Sequence, residues 1–430
     1  MASNWTSSFL TEIVDIHTGK LSVDEVKLDD YVSTDCMVPD FGGITSAEKM
    51  PTSGKVTNFR KGDVLFSNIR TYFKKLWLAD KEGACSNDVI VFRPKEGIES
   101  NYIFHVLMNE RFIEYTVKTS KGTKMPRGDK DAILKYEFPL APKKQRKLIG
   151  NSLIPFKKKI ELNQQTNQTI EQIGQVLFKS WFVYFDPVID NALAVGTSVN
   201  DFPEALQHRV EHRKQAQKLA DYKPLPDNIQ KLFPSEFEQT DETNVGSHGW
   251  IPKGWDVKSL SDLLEVKYGK DHKKLNEGLY PVYGSGGLMR NAEKFLYEGE
   301  SVLIPRKGTL TNLMYVNEKF WTVDTMFYTI PKLENVAKFT FYHLKTLDFT
   351  AMNVGSAVPS MTTKVLNALQ VITPTTELLH KFDEIIGVNN QKVVSNLSNT
   401  KQLEKLRDTL LPKLISGEIS IPESKVSMEA

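Results

Sequence analysis

Along residues 149–181 the strongly apolar positions recur in steps of four and three. Ile149, Leu153, Phe156, Ile160, Asn163, Asn167, Ile170, Gly174, Leu177 and Trp181 fall on one stripe, the pattern of a helix that packs along a seam. The same stripe returns as Phe382, Ile386, Asn389, Val393, Asn396, Thr400, Leu403, Arg407, Leu410 and Leu414, each 233 residues after its counterpart. Two helices in one seam register predict packing on each other; the plainer alternative is two amphipathic helices on a globular core. Both stripes are polar in the middle, at Asn163 and Asn167 and at Asn396 and Thr400. A buried seam Asn costs stability and fixes register. Pro155 predicts a kink or a restart of the first helix, leaving 156–181 as its continuous part.

A second repeat precedes each helix. FLTEIVDIHTGK (9–20) has the pattern of SLSDLLEVKYGK (259–270): Leu10 matches Leu260, Glu12 matches Asp262, and Gly19-Lys20 matches Gly269-Lys270. KGDVLFSNIR (61–70) matches EGESVLIPRK (298–307), and SNDVIVFRP (86–94) matches VDTMFYTIP (323–331), each an apolar or β-branched strand after a turn. Helix-like stretches follow at 101–109 and 338–347. Gly122-Thr123 with Pro126 then matches Gly355-Ser356 with Pro359, and closing strands end at Pro142 and Pro374. The offset falls from 250 to 233, so the first half carries 17 residues more. An excess of that size is expected in surface loops.

The expected organisation is therefore α/β (α+β): a globule at 1–145, a long helix at 146–187, a connector at 188–249, a second globule at 250–375, a second long helix at 376–418 and a tail at 419–430. The connector is predicted to hold a helix (203–219) and then an acidic stretch (235–248). It either returns the chain to the second globule or offers a small interaction surface.

Composition narrows the class. The chain has 430 residues, 40% hydrophobic and 25% charged, as expected for two or three globular domains. No apolar run approaches the ~18 residues of a membrane span, and residues 1–9 lack the charged start and apolar core of a secretory signal. A cytoplasmic protein is expected. Cys36 and Cys85, the two cysteines, make neither a metal spacing nor a disulfide framework. With a net charge of +2, DNA contact would have to come from local patches.

Two such patches stand out. Lys118, Lys121, Lys124, Arg127 and Lys130, less Asp129, carry +4 over thirteen residues; Lys267, Lys270, Lys273 and Lys274, less Asp271, carry +3 over eight. Gly, Thr, Ser and Tyr interleave them, as phosphate contacts require. Arg306-Lys307-Gly308-Thr309 and Ser285 add further positions, and Arg and Lys can read guanine edges. Solvated charged loops are the alternative. YGSGGLM (283–289) lacks both the P-loop Lys and the third Gly of a dinucleotide loop, which leaves a tight turn or a close backbone approach. Asp262 with Glu265 and Lys267 resembles a metal-dependent nuclease site, but the repeat puts Glu12, Asp15 and His17 there. The eight histidines form no ligand cluster, so no metal is expected. No Asn-Pro-Pro-aromatic or Asp-Pro-Pro-aromatic motif of an amino-methyltransferase is present.

Four stretches then carry a resemblance. LFKSWFVYFDPV (177–188) and KIELNQQTNQTIEQ (159–172) resemble the central conserved region of Type I restriction-modification specificity subunits. GWIPKGWDV (249–257) is similar to their entry into a second recognition domain, and LEKLRDTLLPKLISGEI (403–419) to their C-terminal conserved helix. Tyr184 stands where the family commonly has an acidic residue. The resemblance spans nearly the whole chain. It implies two globular target recognition domains related by a pseudo-twofold axis and separated by two long antiparallel coiled-coil helices. Their seam would use Ile160, Asn163, Asn167, Ile170, Leu177, Trp181, Val393, Asn396, Leu403, Leu410 and Leu414. It further implies a non-catalytic DNA-binding subunit without a cofactor of its own. The implied partners are double-stranded DNA, two modification (adenine-N6 methyltransferase) subunits that use S-adenosylmethionine, and restriction subunits that use ATP and Mg. Thirty helical residues span roughly 45 to 50 Å, somewhat more than one duplex turn of about 34 Å, which suits a bipartite site with an unread spacer. A coiled-coil scaffold joining two partner-binding domains without DNA readout, and a stand-alone DNA enzyme, are the competing readings. The scaffold predicts binding insensitive to salt; the enzyme predicts turnover by the chain alone.

Overall fold

The computed structural model describes residues 5–352 and 360–422. Gly355, Ser356 and Pro359, the expected partners of Gly122, Thr123 and Pro126, lie outside the described residues. The chain divides into two compact units, Met1–Thr166 with Ser395–Ala430, and Asn167–Val394.

The first unit is built on an antiparallel four-stranded sheet in the order Val14–His17, Val89–Pro94, Val64–Ser67, Leu76–Leu78. Beside it lies a smaller sheet of Lys20–Ser22, Lys55–Phe59, Gly83–Cys85 and Tyr31–Val32. Helices Ser100–Met108 and Glu110–Lys118 bury Tyr102, Phe104, Leu107 and Phe112 against the larger sheet. The second unit carries one six-stranded sheet in the order Leu264–Tyr268, Met326–Pro331, Tyr297–Pro305, Met314–Thr322, Tyr280–Gly284, Gly287–Ala292. Helix Val336–Lys345 covers it with Val336, Phe339 and Leu344. Antiparallel pairings dominate, so α+β describes both units.

The internal repeat holds at the level of single hydrogen bonds. Leu10 N donates to Tyr136 O as Leu260 N does to Leu369 O, and Lys95 N to Ile13 O as Lys332 N to Leu263 O. The Lys95 and Lys332 ammonium groups donate to the carbonyls of Thr11 and Ser261. Entry strands Thr6–Phe9 and Asp256–Ser259 pair with closing strands Glu137–Leu140 and Gln370–Thr373. The extra residues of the first half lie largely in surface loop, as expected: 33–54 forms no strand or helix and is mostly exposed or half-buried. Most fall between Lys20 and Lys61, where Val23–Glu25, Leu28–Asp30 and the small sheet fold around Val23, Tyr31, Val56 and Ala84. Burying those side chains stabilises a segment that a bare loop would leave unpacked.

The long helices are Lys143–Phe178 and Thr376–Ile415. Within the first unit Ile149 and Leu153 share a core with Leu411, Leu414 and Ile415, while Asn163 meets Asn396. Within the second, Phe178 and Trp181 pack on Phe382 at centroid distances of 5.9 and 6.1 Å. In the first unit rising numbers meet falling ones, so the pairing there is antiparallel. The seam positions from Ile149 to Trp181 and from Phe382 to Leu414 are all buried or half-buried. Asn163 is 2% exposed, and its amide donates to Asn396 O, Asn399 Oδ1 (3.0 Å) and Thr400 Oγ1 (3.2 Å). A polar layer so satisfied excludes sliding by a heptad, because a shifted register would bury the amide unpaired.

Pro155 neither starts nor divides the first helix, which begins at Lys143 and runs through it. Ile149 and Leu153 are buried before the proline and Ile160 after it. That packing outweighs the ~3 kcal/mol that an interior proline costs, and Pro155 itself faces solvent. The helix ends in a π turn, Lys179–Val183, followed by Phe185 at φ +55 and Pro187 in the first turn of Asp186–Ala194. Tyr184 lies under the Arg209 guanidinium at 4.3 Å. Arg209 also forks onto Asp186 at 2.7 Å. The 188–249 stretch is a packed element: Val188, Ile189, Phe202, Leu206, Val210 and Phe233 are buried with Trp181 and Trp255.

Candidate nucleic-acid interface

In the second unit, Leu264–Tyr268 and Tyr297–Pro305 end at the edge of the sheet where Met326–Pro331 begins, and Tyr280–Gly284 ends beside the end of Met314–Thr322, which leads into that edge through Val323-Asp324-Thr325. Four loops therefore leave from that edge: Gly269-Lys270, Ser285-Gly286, Arg306-Lys307-Gly308 and Val323-Asp324-Thr325. Lys270 N donates to Thr322 O, Arg306 N to Thr325 O, and Val323 N to Tyr283 O. Asn312 Nδ2 donates to Ser285 O at 2.9 Å, and Lys307 is bridged to Ser360. The Gly-rich stretch is the tip of the hairpin between Tyr280–Gly284 and Gly287–Ala292, with Gly287 at φ +109, a backbone that suits Gly.

The first unit builds the same edge. His17 and Ser67 end their strands where Val89 and Leu76 begin. Gly19-Lys20, residues 68–75, and Ser86-Asn87-Asp88 leave from there. Lys121 and Arg127 pair through their backbones, Arg127 is bridged to Ile69, and Arg70 N donates to Pro126 O at 2.8 Å. The basic loop is thus fastened to the sheet edge. Arg70 and Lys74 flank the exposed Tyr72 and Phe73 at φ +50 and +54, a left-handed backbone rare for such residues.

The expected basic residues divide into two groups. Lys121 pairs with Asp129 at 2.5 Å, Arg127 with Asp88 at 3.1 Å and Lys267 with Glu265 at 2.5 Å. The Lys121 ammonium, with two backbone amides, holds the Asp129 carboxyl below its ordinary range. Lys118, Lys124, Lys130, Lys270, Lys273, Lys274 and Lys307 are exposed and make no ion pair among the described residues. Lys270 and Lys307 stand at the edge, and Lys273 and Lys274 on the adjoining loop, whose carbonyls at His272 and Leu275 are held by Arg290. Lys118 ends its helix just before the fastened loop, and Lys267 lies inside a strand opposite Tyr328. Asp262 accepts from Ser259 N at 2.9 Å and Glu12 from Phe9 N at 3.2 Å. Both are helix caps, which accounts for the nuclease-like acid without chemistry.

Sequence reasoning missed Lys20, Arg70, Asn87, Asp324, Tyr72 and Tyr268. The repeat held the signal: Lys20 and Arg70 are the counterparts of Lys270 and Lys307. Among the described residues no group of three or more His, Cys, Asp or Glu could hold a metal ion. No described helix is long and apolar enough to cross a membrane. Burial pushes the Cys85 thiol up to about 12, which leaves it unreactive.

The family model described as the Type I restriction modification DNA specificity domain matches residues 2–172 and 252–408. The Type I restriction enzyme HindI specificity subunit of Haemophilus influenzae is 26% identical over 416 residues, covering 87% of this chain and 90% of that protein. The MjaIX specificity subunit of Methanocaldococcus jannaschii is 23% identical over 359 residues, 77% of this chain and 71% of that one. The crystal structure of a Type I restriction-modification S subunit from M. genitalium shares the fold, with a TM-score of 0.52 at 17% identity over 96% of each chain.

Proposed function

This chain belongs to the Type I restriction-modification DNA specificity family, and from that premise we propose that each sheet edge reads one half of a bipartite, asymmetric DNA site. The observation that carries this reading is the position-by-position match of the two edges. Lys20 and Lys270, and Arg70 and Lys307, bring cations to the same places in both units. Phosphate contacts fix a protein's register on duplex without carrying sequence, so these shared cations suit the backbone. The residues between them differ, and so should the half-sites.

The antiparallel helices would set the unread spacer and dock two modification subunits. Those subunits would supply S-adenosylmethionine and the adenine-N6 methyl transfer, while this chain contributes binding and no catalysis. Restriction subunits with ATP and Mg would join the same assembly. The family match weighs against the scaffold reading. The test is co-expression with the neighbouring methyltransferase gene and long-read mapping of methyladenine. A new split motif with two unlike halves is expected. No new motif, with both proteins soluble and associated, would overturn the proposal.

A further inference from the structure

At the two edges, positions shared between the halves and positions that differ have separate physical characters. Lys20/Lys270 and Arg70/Lys307 are cations in both. The residue just before the second pair differs: Ile69 in the first unit, Arg306 in the second. A cation needed only to grip phosphate would serve both halves alike. One that occurs in a single half is placed to specify.

Arg306 is held in advance of any ligand. Its backbone N donates to Thr325 O at 2.8 Å and its carbonyl accepts from Met361 N at 2.9 Å. Its guanidinium lies over the Tyr268 ring at 5.2 Å, and Nη1 donates to Asp324 O at 3.1 Å. Tyr268 is itself fixed, edge-on to the fully buried Phe327 at 5.1 Å, with its hydroxyl 3.4 Å from Thr363 Oγ1. Nε and Nη2 have no partner among the described residues. They form a planar fork with two parallel donors.

We propose that Arg306 is a specificity-determining residue that reads one guanine through this fork, with Tyr268 as its positioning residue. The inference rests on the proposed function. In the major groove, N7 and O6 of guanine are two adjacent acceptors, the match for a two-donor fork. Phosphate also offers two acceptors, but Lys270 and Lys307 stand beside Arg306 exposed and unpaired as flexible point charges suited to it. A guanidinium already stacked and clamped loses little rotamer freedom on binding.

The experiment maps methyladenine for the wild-type chain, Arg306→Gln, Tyr268→Phe, Tyr268→Ala and Lys307→Gln, each co-expressed with the modification subunit. In the wild type, one half of the motif should contain a G·C pair whose discrimination falls roughly ten- to hundredfold in Arg306→Gln, with the other half unchanged. Tyr268→Ala should relax the same pair, and Tyr268→Phe should not. Lys307→Gln should lower methylation uniformly without altering the motif. A motif unchanged in Arg306→Gln overturns the inference while leaving the function intact; a wild type with no split motif overturns both. The second measurement starts from the wild-type complex, where folding of a variant does not enter. Duplexes with 7-deazaguanine at each guanine in turn should bind about tenfold weaker at one position. The Arg306→Ala complex, which loses both donors, should be insensitive there. Equal sensitivity of the two complexes, or none at any position, overturns the inference.

Discussion

Gly174 sits on the seam of the first long helix, and its replacement by Ala sets two known effects against each other. In a helix interior, Gly→Ala ordinarily stabilises by about 1 kcal/mol. Here the added Cβ would stand 2.5 Å from Cζ and 2.9 Å from Cε1 of Tyr342. That ring is 4% exposed, stacks on Phe178 at 6.3 Å and meets Phe382 edge-on at 6.0 Å, so it has nowhere to swing. Overpacking a core costs about 1–3 kcal/mol. With the ring pinned the upper part of that range applies, and Gly174→Ala should be destabilising by about 1–2 kcal/mol net. Gly387, in the second long helix and the same unit, has nothing within 4 Å of its hypothetical Cβ. Gly387→Ala should therefore stabilise by about 1 kcal/mol. Calorimetric melting of the two variants reads the contrast, at about 2–4 °C per kcal/mol for a unit of this size. The first transition temperature should fall and the second rise. A Gly174→Ala protein that melts at or above the wild type would refute the reasoning, because it would mean the aromatic cluster yields at no cost.

Burial pushes the His105 and His343 imidazoles down to about 4; Arg407 and Lys157 add to this at His105, against the hydrogen bond with the Asn101 carbonyl. The unfolded chain, at about 6.5, takes up these protons first, so stability is full above that pH and falls toward pH 4, by about 2 kcal/mol per histidine between pH 7 and 5. Urea midpoints at the two pH values should show this loss, and His343→Leu should reduce it; an unaltered pH slope in that variant would count against the assignment. Asp63 is 1% exposed and takes a two-toothed contact from Arg93 at 2.9 and 2.7 Å. Asp63→Asn should cost about 3 kcal/mol, against less than about 1 for Asp30→Asn at the exposed Lys81 pair, again by urea midpoint; equal losses would sink the distinction. Removing one heptad from each long helix shortens it by about 10 Å, or roughly three base pairs. The mapped motif should lose that much spacer, and an unchanged spacer would end the ruler idea.

Much of the architecture was legible because it is periodic and local. A seam at steps of four and three needs only helical geometry to place Ile149, Asn163, Phe382 and Asn396 on buried faces. The turn-strand-turn repeat likewise announced two similar globules, down to helix caps at Glu12 and Asp262. Pro155 misled because its local cost is fixed by the backbone, whereas the packing of Ile149, Leu153 and Ile160 that offsets it lies in other elements. The small core after Lys20 was not legible for the same reason: it draws Val56 and Ala84 from distant strands.

The sequence by itself determined the elements, their duplication and their partnership, since spacing along the chain encodes which face of a helix or strand is apolar. The candidate interface edge was decided by the tertiary structure. Four loops far apart in the chain meet there because their strands end in one sheet, and sheet order is a non-local choice that no single segment carries. That meeting separates Lys121, Arg127 and Lys267, neutralised by Asp129, Asp88 and Glu265, from Lys270 and Lys307, which remain exposed and unpaired. It also lays Arg306 on Tyr268. A charge along the chain is only a number; whether it is available to DNA depends on what the fold sets beside it.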